Sequence, residues 1–327
     1  MANYKELEGF GVQTLAADPD TPGWVGSIFY NSTEGVFKTV KPGGVAVGTW
    51  ASGGTFSSPI HIMAGAGTQT AAVSVAGYFN PGTPVGESDG VYLYDGTSWS
   101  TNPNNYPVAT YALWGSGTQT AGLFTGGSSV LSTTNKFNGT TFTGTGGLNS
   151  GRRYLASSGT ENATIATGGY TTTQVAIVED FNGSTWTPTT SMNNTRQQHS
   201  QIGASTASLV IGKSPASNIV ENWNGTSWTA VSGLNTARQT TGASGTSIYG
   251  ITYAGETGPG PSVAFTEFYD GTSWTELADL ANNRYGVGSL GFSAPANLTV
   301  TWGGNISSTS TEEWTAPDVV INTLTTS

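Results

Sequence analysis

Four arginines and four glutamates recur in step along the chain: Arg152 with Glu179, Arg196 with Glu221, Arg238 with Glu267, and Arg284 with Glu312. Each Arg opens a strand-like run, and each Glu stands two residues before an aromatic. Two chemistries fit. A guanidinium and a carboxylate withdrawn from water form a structural ion pair, and losing one member strands the other. Two earlier copies lose both together, carrying Ile60 with Tyr92 and Thr110 with Asn135. The other reading is a partial ring of Arg around a channel mouth, able to hold carboxylates or acidic sugars. The pair is the simpler expectation, although two strand spacings, about 10 Å, would separate its members.

Other chemistry is sparse. The two histidines, His61 and His199, lie in different copies and match no metal-binding spacing. With no Cys there is no thiolate nucleophile, disulfide or thiolate metal site. Asp18 and Asp20 sit in the turn-rich DPDTPG connector and read as turn residues rather than metal ligands. Paired carboxylates for glycoside hydrolysis depend on a separation that sequence does not give. No cofactor, no metal and no enzymatic activity are therefore expected. Ten Lys and Arg against twenty Asp and Glu, net −10, argue against nucleic acid, whose phosphates need basic clusters. No segment has the apolar length of a membrane span, so membrane insertion is not expected. The opening MANYKELEGFGVQTLAAD lacks the apolar core of a signal peptide, which suggests synthesis in a cytoplasm.

The elements that position these residues announce themselves by repetition. YDGTSWS at 94–100 returns as FNGTTFT at 137–143, FNGSTWT at 181–187, WNGTSWT at 223–229 and YDGTSWT at 269–275. Asn-Gly and Asp-Gly favour two-residue hairpins of type I′, so each phrase predicts a β-hairpin corner. Its aromatics, with Trp50 ahead of them, recur every 42 to 49 residues at Trp99, Phe142, Trp186, Trp228 and Trp274. A four-strand unit at that period is a propeller blade.

An apolar strand ending in a glycine pair, then an aromatic and a Trp a few residues on, resembles the kelch repeat. ATIATGGY at 163–170 with VEDFNGSTW at 178–186 is the fullest copy. GLFTGGS at 122–128 and LTVTWGG at 298–304 keep the pair; VAGY at 75–78, VIGK at 210–213 and YAGE at 253–256 keep one glycine. The resemblance spans about residues 45–316 and implies an all-β, six-bladed kelch-like β-propeller. The last copy lacks its own fourth strand after Trp314, and VAVGTW at 45–50 would supply it. Closure of that kind removes an open sheet edge. Seven blades remain the alternative, if 27–40 and the C-terminal VVINTL make another. Copper oxidases built on kelch propellers use a Cys-modified Tyr, which this chain lacks. The sialidase box differs from YDGTSW in having a residue between Asp and Gly.

Three segments result: an N-terminal attachment segment at 1–44, the propeller at 45–316 and a C-terminal tail at 317–327. VGSIFYNSTEGVFKTV at 25–40 resembles a hairpin module of bacteriophage tail and fibre proteins. With LEGFGVQTL and VAVGTWASGG, the opening is similar to structural proteins of marine and cyanobacterial phages. That resemblance implies a virion component, attached to other virion proteins through 1–44 and used for host-surface adhesion from the tail or for particle decoration. A free carbohydrate-binding lectin is the alternative and a glycan hydrolase a distant third. Loop-length variation, longest at 79–90, 100–110 and 256–265, gathers on one propeller face. There Tyr78, Phe79, Tyr106 and Tyr170 are candidates to stack on the rings of host glycans or on a protein partner.

Overall fold

A computed structural model describes residues 12–19, 27–42, 47–79, 86–258, 260–291, 296–305, 308–316 and 319–324. The opening LEGF, Asp20, Pro22-Gly23, the centre of the expected 79–90 loop and Pro317 lie outside the described residues. Every sheet is built from short strands, and two units separate: Met1–Gly48 with Ala316–Ser327, and Thr49–Thr315. Among the described residues no helix is long and apolar enough to cross a membrane.

The first unit is one sheet. Ile28–Asn31 and Val36–Pro42 form the expected hairpin, flanked by Gln13–Leu15, which runs parallel, and by Val319–Thr323. The segment expected as a C-terminal tail is thus a strand, pairing Val319 with Pro42 and Thr323 with Lys38. The segments that a seventh blade would need do share this sheet, which takes no strand from 49–315. One sheet face is dry, with Phe29 and Val40 buried. Asn31 accepts the N–H groups of Thr33 and Glu34, fixing the turn, while Lys38 donates to Asp18 at 2.7 Å and to Glu34. Asp18 is therefore a tie between connector and hairpin.

The second unit carries the repeats. Four sheets have four antiparallel strands in chain order, at 113–144, 156–188, 200–231 and 242–276. The sheet at 60–101 has five, because its inner strand is split into Ile60–His61 and Ala64–Thr68. In the last sheet Leu298–Trp302 pairs Thr311–Thr315, and Thr311–Thr315 pairs Thr49–Ser52 with Trp314 opposite Trp50. The N-terminal strand does join the final sheet, as its outermost strand, and that sheet has three strands among the described residues. This is an all-β, propeller-like architecture.

The corners differ from the expected turn type. Phe181 pairs with Trp186, so four residues, Asn182 to Thr185, make the loop. Only Gly183 has a positive φ, of 95°. Asn182 instead lends its side-chain oxygen to the N–H groups of Ser184 and Thr185, both at 3.0 Å. Asx capping, not a two-residue type I′ turn, selects Asn or Asp here. The two-residue hairpins are the inner ones, as at Glu161-Asn162 between Thr160 and Ala163.

The glycine pair has a steric cause. Gly168, at φ 55°, carries no Cβ because that atom would lie 2.7 Å from the Arg196 carbonyl of the following sheet. Its neighbour Gly169 donates its N–H to that same carbonyl at 2.7 Å. The expected loop at 79–90 is strand at both its described ends: Ala71–Phe79 and Gly86–Tyr94 extend the hairpin past a bulge near Ala76.

Candidate functional site

The Arg–Glu sets are buried ion pairs. Arg152 meets Glu179 at 2.9 Å, Arg196 meets Glu221 at 2.6 Å, and Arg238 and Arg284 meet Glu267 and Glu312 at 2.8 Å. All eight residues are at most 3% exposed. Each Arg lies outside the assigned strands, all four reach a Glu of the third strand, and three also donate to backbone carbonyls between the second and third strands. Arg196 also donates to the carbonyls of Gly212 and Ile219, and Arg238 to those of Ala254 and Phe265. Burial lowers all four guanidinium pKa values, and the facing carboxylates oppose the shift in each. Burial resists ionisation of Glu221, yet hydrogen bonds from Arg196 and Asn194 hold its carboxyl below the usual range. The alternative reading of these four Arg as a partial ring at a channel mouth is corrected: each is buried against its Glu, and three of them also donate to backbone carbonyls. The sequence reading missed a third member, an Asn three residues before Arg. Asn149, Asn193 and Asn235 donate backbone N–H to Glu179, Glu221 and Glu267, and side-chain N–H to the carbonyls of Trp186, Trp228 and Trp274. Its recurrence in three copies was the available signal.

Two residues beyond each Arg position the chain takes a left-handed turn, at Ile62, Ala112, Tyr154, Gln198, Thr240 and Gly286, with φ between 53° and 61°. Five of the six are not glycine, and two are β-branched, where this conformation is costly. What holds them is a closed cycle of backbone hydrogen bonds. Ala112 N–H donates to Ile62 O, Tyr154 to Ala112, Gln198 to Tyr154, Thr240 to Gln198, Gly286 to Thr240, and Ile62 to Gly286, at 2.7–3.1 Å. The next residues, among them Met63, Leu113, Leu155 and His199, line a cavity of about 30 Å³ under this hub, room for a water or two. His199 is fully buried, its Nε2 3.0 Å from the Thr167 hydroxyl. Burial, then the charges of Arg196 and Arg152, push its pKa well below the ordinary value, so the ring is neutral.

The residues just before the hub positions form its outer rim: His61, Tyr111, Arg153, Gln197, Gln239 and Tyr285, all partly exposed. Rings follow one another edge to face, Tyr285–His61 at 6.3 Å, His61–Tyr78 at 5.8 Å, Tyr78–Tyr111 at 5.2 Å and Tyr111–Tyr154 at 6.1 Å. Arg153 continues the arc, 5.5 Å from the Tyr154 centroid and 5.0 Å from Tyr170. Burial, with Tyr111 beside it, pushes the Tyr154 phenol up to about 12, so it stays a hydroxyl donor. The opposite side is polar, with Gln239 and Thr240 both donating to Glu256.

Of the four expected stacking rings, Tyr78 and Tyr170 belong to this arc. Tyr106 does not: it is 2% exposed, its hydroxyl accepts a hydrogen bond from Asn135, and it packs on Phe142. Phe79 is half-buried and packs against the Phe56 and Ile60 cluster. Both are corrected from loop-face rings to packing residues: Phe79 ends a strand and meets a core cluster, and Tyr106 turns inward onto Phe142. Among the described residues no three His, Asp or Glu side chains gather as a metal set. No protein-family model and no curated protein matches the chain.

Proposed function

We propose that residues 49–315 form a closed, six-bladed kelch-like propeller, and that the protein is a non-enzymatic structural component of a bacteriophage particle. Closure is supported by the six-membered hub cycle and by contacts between first and last sheets. Trp99 donates to Thr311 at 2.9 Å, and Gln69 donates to the Trp314 carbonyl at 2.7 Å. The six positions are those counted in the kelch-like resemblance.

The rim of rings around the hub carries the functional reading. A row of partly exposed aromatics, strained backbone beneath them and a polar far side make a recognition surface. Adhesion to a host surface uses such a face, while particle decoration needs only the scaffold. Attachment falls to the first unit, whose hairpin leaves Ile28 and Phe37 about half exposed beside Tyr30. The virion assignment rests on the likeness of the opening to phage hairpin modules. Immunogold microscopy of particles from the source, with antibody against residues 50–316, tests it. Label at the tail supports adhesion and label over the head supports decoration. Unlabelled particles overturn the virion reading and leave a free lectin.

A further inference from the structure

The hub and its rim are chemically lopsided. Aromatic rings run from Tyr285 through Tyr78 and Tyr111 to Tyr154, while Gln239, Thr240 and Glu256 face them. Three buried polar atoms on the rim have no hydrogen-bond partner among the described residues: His61 Nδ1, Arg153 Nε and Gln239 Oε1. Unpaired buried polar groups are rare because each forfeits a hydrogen bond it had in water. Here one is an acceptor, one a donor, and one serves as either according to tautomer. They come from three different copies yet surround one cycle of backbone hydrogen bonds.

We propose that the hub rim is a binding site for the terminal residue of a neutral glycan, one pyranose ring lying on the Tyr78–Tyr111 arc. This deepens the adhesion reading above and rests on it for biological sense, not for its test. A pyranose offers an apolar C–H face to an aromatic ring and hydroxyls that both donate and accept. Such hydroxyls suit a rim where the partly exposed Gln239 and Arg153 offer both an acceptor and donors, which an acceptor-only anion does not. The charges also speak against an acidic sugar. Arg153 is already spread over two Tyr rings, Glu256 adds a carboxylate across the hub, and the four remaining arginines are consumed by Glu. The strained cycle suits the role, since it fixes the backbone from which the rim side chains project.

The test is saturation-transfer NMR and calorimetry on the full chain, with methyl α-D-glucopyranoside, methyl α-D-galactopyranoside and N-acetylneuraminic acid as separate probes. At least one neutral pyranoside binds, and Tyr111→Ala and Gln239→Leu each weaken it by about tenfold or more. Tyr249→Ala removes an exposed ring from an inner hairpin turn, away from the rim, and leaves binding unchanged. Should Tyr111→Ala fail to fold, Gln239→Leu alone decides. Absence of neutral binding up to about 20 mM, equal loss in all three variants, or preference for N-acetylneuraminic acid overturns the proposal. Binding in solution with unlabelled particles would keep this site and discard the virion.

Discussion

At the scale of single residues, the repeats are held by charges taken out of water. Removing one partner of a buried ion pair leaves the other uncompensated, at a cost of about 3–5 kcal/mol. Arg196→Ala should destabilise the protein by that amount in urea titrations, far more than truncating an exposed Arg. Arg196→Met with Glu221→Leu should regain part of the loss but not all, because the Gly212 carbonyl loses its donor, while that of Ile219 keeps the Gly212 N–H. His199 gives a pH signature. Folding depresses its pKa, so below about pH 6.5 the unfolded chain binds the extra proton. Its contribution is fully present above pH 6.5 and is lost as pH falls toward the depressed folded value. The slope should reach about 1.4 kcal/mol per pH unit, and His199→Gln should remove it in unfolding curves taken between pH 7.5 and 5.

At the scale of elements, the corner aromatics seal each sheet against the one before it. Trp186 is 5% exposed, lies 4.9 Å from Phe181 and donates to Thr134 of the preceding sheet. Trp186→Ala should cost about 3–5 kcal/mol, read as a fall in urea midpoint; an unchanged midpoint would refute the sealing role. Trp186→Phe should cost far less, about 1 kcal/mol for the lost hydrogen bond plus some packing. Phe142 shows the substitution is tolerated: that copy stacks Phe142 on Phe137 at 4.6 Å and fills in with Tyr106. The corner Asn or Asp is worth less, since its N–H partners are exposed.

At the scale of the whole molecule, the ring reading makes the N-terminal strand a clasp. Trp50 packs on Tyr253 and Trp314 and donates to Thr266 of the sheet before its own. Trp50→Ala should therefore loosen two sheets at once. Hydrogen exchange is expected to quicken in Thr311–Thr315 and in Thr266–Tyr269, with little change at Ala156–Thr160 across the ring. Quickening confined to Thr49–Ser52 would mean the strand is decoration on an array that holds without it.

Much of this was legible in the chain because the constraints act on side-chain type. A glycine is demanded where the next carbonyl comes within 2.7 Å of a would-be Cβ at Gly168, a Trp where two sheets meet, an Asn or Asp where two N–H groups need an acceptor. Arg and Glu co-occur because either alone in the interior is a stranded charge. The hub left no such trace. Its cycle is made of backbone N–H and C=O, which every residue but proline supplies, so Ile, Ala, Tyr, Gln, Thr and Gly all fill it. Nor could spacing gather His61, Tyr78, Tyr111, Arg153 and Tyr285 around one opening, or draw Tyr106 inward. Those placements depend on how sheets and loops turn toward one another, and only the tertiary structure decides that.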